Sequence, residues 1–119
     1  MTIHPRGADA ARLRQRKFRR LADLVVPPDA LPGSLALTHR RCGKPTCRCA
    51  TGEGHPLWSL TFMVQGKKRV ERIPDDWVAD VRRQVKAGRT CKEAIAEIFA
   101  ANAQLLVLWR RQEARRPRR

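Results

Sequence analysis

The sequence predicts a small α+β fold in which a three-stranded antiparallel sheet carries a Cys/His knuckle between two strands, with an N-terminal helix and a long C-terminal helical segment. Three observations predict it: helical spacing of apolar residues near both ends, strand-like alternation in the middle, and five Cys or His residues within 39–55. The 119 residues have room for one modest core. The predicted organisation is a basic helix over 1–28, a single domain over 29–109 and an Arg-rich disordered tail over 110–119.

The first half of the chain contains one predicted helix and one predicted strand. The helix is expected over 9–26, because Asp9 can cap it and apolar residues recur from Leu13 onward among Arg and Lys. A Pro-Pro step then ends it. A strand over 34–41 leads into the Cys/His segment.

The second and third strands form a predicted hairpin. The strongest strand pattern covers 57–64, and a turn over 65–67 leads into a strand over 68–73. Alternation along the last strand predicts one face on a core and one charged face in water. Trp58 and Phe62 share the parity of one strand face, so they can stack on unpaired bases or belong to the core, and the core is the simpler location.

The C-terminal segment is predicted to hold two helices. Asp75 or Asp76 can cap the first, which Gly88 would end, and a capping box beginning at Thr90 starts the second. Apolar residues at intervals of three and four along the second helix can pack on the sheet, which is the simpler arrangement. They can instead form a helical pair whose register Asn102 would fix.

The chain is strongly basic along its whole length. Lys and Arg number 26 against 11 acidic residues, the net charge is +15, and the pI is about 11.4. This balance favours a polyanionic partner, and a nucleic acid is the usual one for a chain this basic. The predicted hairpin and knuckle would meet the phosphates. The candidate binding residues are Arg40, Arg41, Lys44, Arg48, Lys67, Lys68, Arg69 and Arg72.

The Cys/His segment has the spacing His39-x2-Cys42-x4-Cys47-x-Cys49-x5-His55. Thiolate and imidazole are the ligands that Zn²⁺ prefers, and four of them make a closed structural site. We predict the set Cys42, Cys47, Cys49 and His55, with His39 as the alternate fourth ligand. An extended backbone between Cys47 and Cys49 would point both thiols to the same side.

Other interpretations of the cysteines remain open. The three clustered thiols can be buried small side chains, form a reversible disulfide, or be reactive thiols activated by the neighbouring Arg and Lys residues. Cys91 lies far from the segment in a helical pattern and is expected to pack there. Without a signal peptide or a long apolar run, the expected location is the cytoplasm, where thiols stay reduced.

Catalytic signatures are few. The sequence has no H-E-x-x-H, no Walker loop, no G-x-S-x-G and no tyrosine. Asp75, Asp76 and Asp80 resemble a metal-dependent nuclease set, but their place at a helix start is better explained by capping. We therefore predict no catalytic residue.

Several motifs carry a resemblance to a known family. They are Leu31-Pro32-Gly33-Ser34-Leu35, Arg41-Cys42-Gly43-Lys44-Pro45-x-Cys47-Arg48-Cys49-Ala50, a His-Pro step, an aromatic strand, Gly66-Lys67-x-Arg69, a proline and a long helix. Over residues 31–108 the chain resembles the domain-of-unknown-function 6788 family of small prokaryotic proteins. The resemblance implies this architecture and a setting near transposases and other mobile-element genes, and that setting favours DNA over RNA as the nucleic acid. The chain departs from the family's His-Gly-Pro-Tyr at 55–57, which reads His-Pro-Leu.

These observations lead to one preferred function and two alternatives. The preferred one is a zinc-stabilised, basic nucleic-acid-binding accessory protein linked to a mobile element. The first alternative is an interaction subunit that pairs with a transposase or with itself through residues 90–112. The second is a thiol redox enzyme.

Overall fold

The computed structural model describes residues 2–116 and confirms the predicted α+β class. Helix α1 (Ala8–Asp23) is followed by strands β1 (Ser34–Arg40), β2 (His55–Val64) and β3 (Lys67–Ile73). Helix α2 (Val78–Ala114) is the last of these elements. Within the described residues, no helix is both long and apolar enough to cross a membrane.

The three strands form one antiparallel sheet in the order β1-β2-β3. The hairpin turn is tighter than the predicted one, because only Gln65 and Gly66 lie between β2 and β3. Both have positive φ, 51° and 78°, which is the backbone shape of a two-residue turn that matches strand twist. At the other end of β2, His55 pairs with Arg40.

Residues 27–89 form a compact unit that contains the sheet, called the sheet unit below. Its core lies between one sheet face and the first turns of α2. Its buried residues are Leu60, Ile73, Val78, Val81 and Val85, with Trp58 and Phe62 packed against them. The location of both aromatic side chains thus agrees with the core interpretation.

Strand β3 contributes less to this core than its alternation predicts. Ile73 is its one buried residue, whereas Val70 is 59% exposed. Val70 pairs with Thr61, one position away from Leu60, so it has the parity of the opposite face. Only the end of β3 is covered by α2.

Gly88 does not end a helix, and Thr90 does not start one. Helix α2 is continuous from Val78, after a 3-10 turn over Asp75–Trp77 that no side chain caps. A Cβ at Gly88 would lie 2.1 Å from the carbonyl oxygen of Leu31. The glycine therefore permits a close backbone approach inside the helix, which the sequence pattern did not distinguish from a helix end.

The helical unit contains α1 and the C-terminal part of α2, and its two helices run antiparallel. The Arg20 guanidinium lies 2.7 Å from Glu97, and the Lys17 ammonium donates to Asn102 at 3.1 Å. Nearer the other end, the side-chain amide of Gln112 accepts from the backbone of Arg6 at 2.8 Å and donates to it at 2.6 Å. The residue numbers of the partners decrease along the first helix as they increase along the second, so the two helices are antiparallel.

The apolar stripe of α2 packs in this helical unit, whereas we expected it to pack on the sheet. Ala10, Ile98, Ala101 and Leu105 are buried there. The α1 helix starts after Gly7, one residue earlier than expected, and Asp9 lies in its first turn. A second helix of the same chain thus covers the stripe.

The chain divides into two compact units, one formed by residues 27–89 and the other by the residues before 27 and from 90 onward. The organisation into 1–28, 29–109 and 110–119 stays a prediction. Helix α2 continues to Ala114, so the first part of the stretch predicted as a disordered tail is helical. Residues 117–119 of that stretch lie outside the described residues.

Candidate metal centre and basic surface

The loop between β1 and β2 carries three of the four clustered ligands, and the fourth begins β2. Because Arg40, the last residue of β1, pairs with His55, the first residue of β2, the loop starts and ends at the same end of this strand pair. Cys42 follows two residues after the end of β1, so it lies close to His55. A Cβ at Gly54 would lie 2.7 Å from the carbonyl carbon of Arg40, so the closure of the loop requires a residue without a side chain.

Two consecutive turns bring the remaining cysteines back to the start of the loop. The N–H of Cys47 donates to the carbonyl of Lys44 at 3.1 Å, and the N–H of Ala50 donates to the carbonyl of Cys47 at 3.0 Å. Cys49 lies inside the 3-10 turn Arg48–Ala50. Cys47 and Cys49 are therefore joined by a turn, and the extended geometry expected between them is wrong.

The four side chains Cys42, Cys47, Cys49 and His55 converge. The sulfurs of Cys42 and Cys49 are 3.3 Å apart, and the Cys47 sulfur is 3.2 Å from Nε2 of His55. All four possible ligand atoms lie within 4.8 Å of one another. Two ligand atoms on the corners of a zinc tetrahedron would be about 3.5–3.8 Å apart, from metal-ligand distances of about 2.1–2.3 Å. The cluster can hold one metal ion.

Hydrogen bonds and burial shift the pKa values of Cys42 and Cys49 in opposite directions. The backbone N–H of Lys44 lowers the pKa of Cys42 to about 6, with further hydrogen bonds to Cys49 and His55 acting in the same direction. At Cys49 the backbone N–H of Cys42 lowers the pKa, but burial and the neighbouring thiols outweigh it, so the pKa is raised. Thiolate character is therefore concentrated at the exposed Cys42.

One functional group was missed by the sequence analysis. The backbone N–H of Cys42 donates to the sulfur of Cys49 at 3.3 Å, and this is the kind of hydrogen bond that stabilises a metal-bound thiolate. Every non-proline residue carries such a donor, so no residue pattern could have identified it.

The alternate ligand His39 lies outside the cluster, and so does Cys91, which was expected to pack in a helix. Nε2 of His39 lies 3.7 Å from a carboxylate oxygen of Glu53, and His39 is not among the four converging side chains. His55 is therefore the histidine that converges with the three thiols, and the alternate His39 does not. Cys91 is a partly buried free thiol of α2.

The eight candidate nucleic-acid-binding residues are all exposed, and they form two groups. Arg40 ends β1, and Arg41, Lys44 and Arg48 lie in the segment that carries the three cysteines, whereas Lys67, Lys68 and Arg69 begin β3 at the hairpin. His55 and Val64, at the two ends of β2, are nine residues apart, or about 30 Å along a strand. Arg72 pairs with Ser59 and lies between the groups.

The sheet register determines which of these cations share a face. Arg72 and Lys68 alternate with Ile73, so they have the parity of the sheet face opposite the core, and so does Arg40 through its pairing with His55. Lys67 and Arg69 have the parity of the core face, but they lie at the exposed start of β3. Within residues 2–116, none of the eight forms an ion pair with a carboxylate.

One of three comparisons with known proteins found a match. The family model described as Domain of unknown function (DUF6788) matches residues 8–83. No curated protein and no solved structure matched the chain. The matched segment includes the whole sheet and all four converging side chains.

Proposed function

We propose that this chain, which belongs to the family described as Domain of unknown function (DUF6788), is a zinc-stabilised protein that binds nucleic acid, with DNA as the preferred partner. The observation that carries the proposal is the convergence of Cys42, Cys47, Cys49 and His55 at the strand end where four exposed cations also lie. The zinc stabilises the loop, and the cations contact phosphates. The link to a mobile element remains what the resemblance implies.

Zinc is the metal that this donor set fits best. Three thiolates and one imidazole suit a borderline-soft ion with tetrahedral geometry. Four protein ligands leave no position for water, so the ion would be structural. Its binding energy would supply the stability that a loop of 14 residues, 41–54, lacks by itself.

The sheet face opposite the core supports duplex over single-stranded nucleic acid. Trp58 and Phe62 pack on the core, so they are not available as a stacking platform for bases. The exposed face carries Arg40, Lys68 and Arg72, whose cations suit the phosphate backbone. A sheet face of this kind can lie against a groove of duplex DNA.

Native mass spectrometry of protein purified without added metal tests the zinc part. We expect one zinc per chain in the wild type and in Cys91→Ser, which removes a thiol outside the cluster, and none in Cys47→Ser. The short distance between the sulfurs of Cys42 and Cys49 makes a disulfide the main competing state. A metal-free chain lighter by the two hydrogens of that disulfide would overturn the zinc assignment.

The salt dependence of DNA binding tests the nucleic-acid part. If five to eight of the candidate cations contact phosphates, the logarithm of the binding constant for a duplex should fall against that of salt with a slope of about −4.5 to −7. Arg72→Ala should reduce the steepness by about 1. Arg83→Ala is the matched control, because Arg83 is exposed but forms an ion pair with Asp80. A slope that neither substitution changes would contradict the assigned surface.

A further inference from the structure

An apolar groove runs along the helical unit. It has a volume of about 570 Å³ and lies between residues 9–16 of α1 and residues 103–111 of α2. Leu13, Val107 and Leu108 provide its apolar surface, and Val107 is 47% exposed. At a helical rise of 1.5 Å per residue, these segments are about 10–12 Å long, which is the length of two turns of a helix.

The rim of the groove is basic. Arg12 and Arg16 line it from α1, and Arg111 lines it from α2. Asp9 is the one acidic residue of the lining, and it forms an ion pair with Arg12. Within the described residues, Arg16 and Arg111 have no carboxylate in salt-bridge distance. The groove thus combines an apolar floor with two uncompensated cations.

We propose that this groove binds an acidic amphipathic helix of a partner protein. Two turns of such a helix would place apolar side chains on Leu13, Val107 and Leu108, with carboxylates on either flank facing Arg16 and Arg111. Charge disfavours a second copy of the chain as the occupant. A copy carries +15 and would bring another set of arginines to this rim.

This interaction surface and the proposed nucleic-acid surface are made of different residues. None of the eight candidate nucleic-acid-binding residues lines the groove, and the metal ligands all belong to the sheet unit. The chain can therefore bind a protein and a nucleic acid through different residues. The inference does not rest on the proposed function, and each can fail without the other.

Fluorescence anisotropy with a labelled synthetic peptide tests the proposal. The probe is a capped 14-residue helix-forming peptide with Leu at positions 4, 7, 8 and 11 and Glu on the flanks. Its control is a scrambled peptide of the same composition. We expect the patterned peptide to bind at least about tenfold more tightly, because only it places the apolar residues on one face.

Variants of the protein locate the binding site. Arg16→Glu should weaken the patterned peptide about fivefold or more, because it places like charges together, while Arg19→Glu on the same helix should change it less than about twofold. Val107→Ser should weaken it about tenfold through lost apolar contact, whereas Phe99→Ser, at a 67% exposed position outside the groove, should not. Circular dichroism checks that each variant stays helical. If Val107→Ser does not fold, the arginine pair still decides.

Three results would overturn the proposal. The first is equal binding of the patterned and scrambled peptides. The second is an equal effect of Arg16→Glu and Arg19→Glu, which would mean that general charge alone attracts the peptide. The third is a dimer in sedimentation velocity that Val107→Ser dissociates, because the occupant would then be a second copy.

Discussion

A methyl group added at Gly54 should disturb the Cys/His cluster more than one added at either of the other glycines between β1 and β2, Gly43 and Gly52. The φ of Gly54 is +87°, and its Cβ would lie 2.7 Å from the carbonyl carbon of Arg40 and 2.9 Å from the oxygen. Arg40 is the strand partner of His55, so the displacement would separate the strand end from one of the four ligands. We predict that Gly54→Ala weakens zinc binding.

Gly43 in the same loop supplies a matched control. Its φ is +84°, but nothing lies within 4 Å of the position its Cβ would take. Each substitution places a Cβ at a positive φ, and the steric conflict of the Cβ with the backbone costs about 1–2 kcal/mol. Only Gly54→Ala adds overpacking, which costs about 1–3 kcal/mol. The difference corresponds to a zinc affinity roughly 5- to 150-fold weaker for Gly54→Ala than for Gly43→Ala.

Competition with a chromophoric chelator at neutral pH measures both affinities on the same scale. The thermal unfolding of each zinc-loaded variant should follow the same order, because the metal binds the folded loop. Equal zinc affinities for the two variants, or weaker binding by Gly43→Ala, would refute the assignment of Gly54 as the residue that closes the loop on Arg40.

Three further predictions concern stability and the thiols. Gly88→Ala should lower the free energy of unfolding by up to about 2 kcal/mol, because the overpacking against Leu31 costs about 1–3 kcal/mol and the gain in helix propensity is about 1 kcal/mol. A raised Tm would contradict this. In zinc-loaded protein, iodoacetamide should modify only Cys91, as mass spectrometry would reveal, and modification of the cluster would argue against bound zinc. In metal-free protein Cys42 should react first, since its pKa of about 6 leaves it a thiolate at neutral pH, and its rate should fall as the pH drops below 6.

The converging Cys/His cluster could be predicted from the sequence because the residue types and their spacing are local properties. Cys42, Cys47, Cys49 and His55 lie within 14 residues, so a few turns are enough to bring them together. Local sequence could not show whether His39 or His55 lies beside the three thiols. This depends on the pairing of β1 with β2, which places His55 at the loop and leaves His39 beside Glu53.

The helices show the opposite case. Gly88 and Thr90 have the pattern of a helix boundary, yet α2 continues through both. A glycine is needed at position 88 because the carbonyl of Leu31 lies too close for a side chain. In the same way, the apolar stripe that includes Leu105 identifies a buried helix face but not the element that covers it.

The sequence by itself determined the strand order along the chain, the four Cys and His residues of the cluster and the positive charge, because alternation, side-chain chemistry and net charge are read directly from neighbouring residues. Only the tertiary structure decided which histidine joins the thiols, which strand face carries Arg72, and that α1 covers the stripe of α2 and leaves a basic groove. These features arise from contacts between residues far apart in the chain, and local spacing holds no information about such contacts.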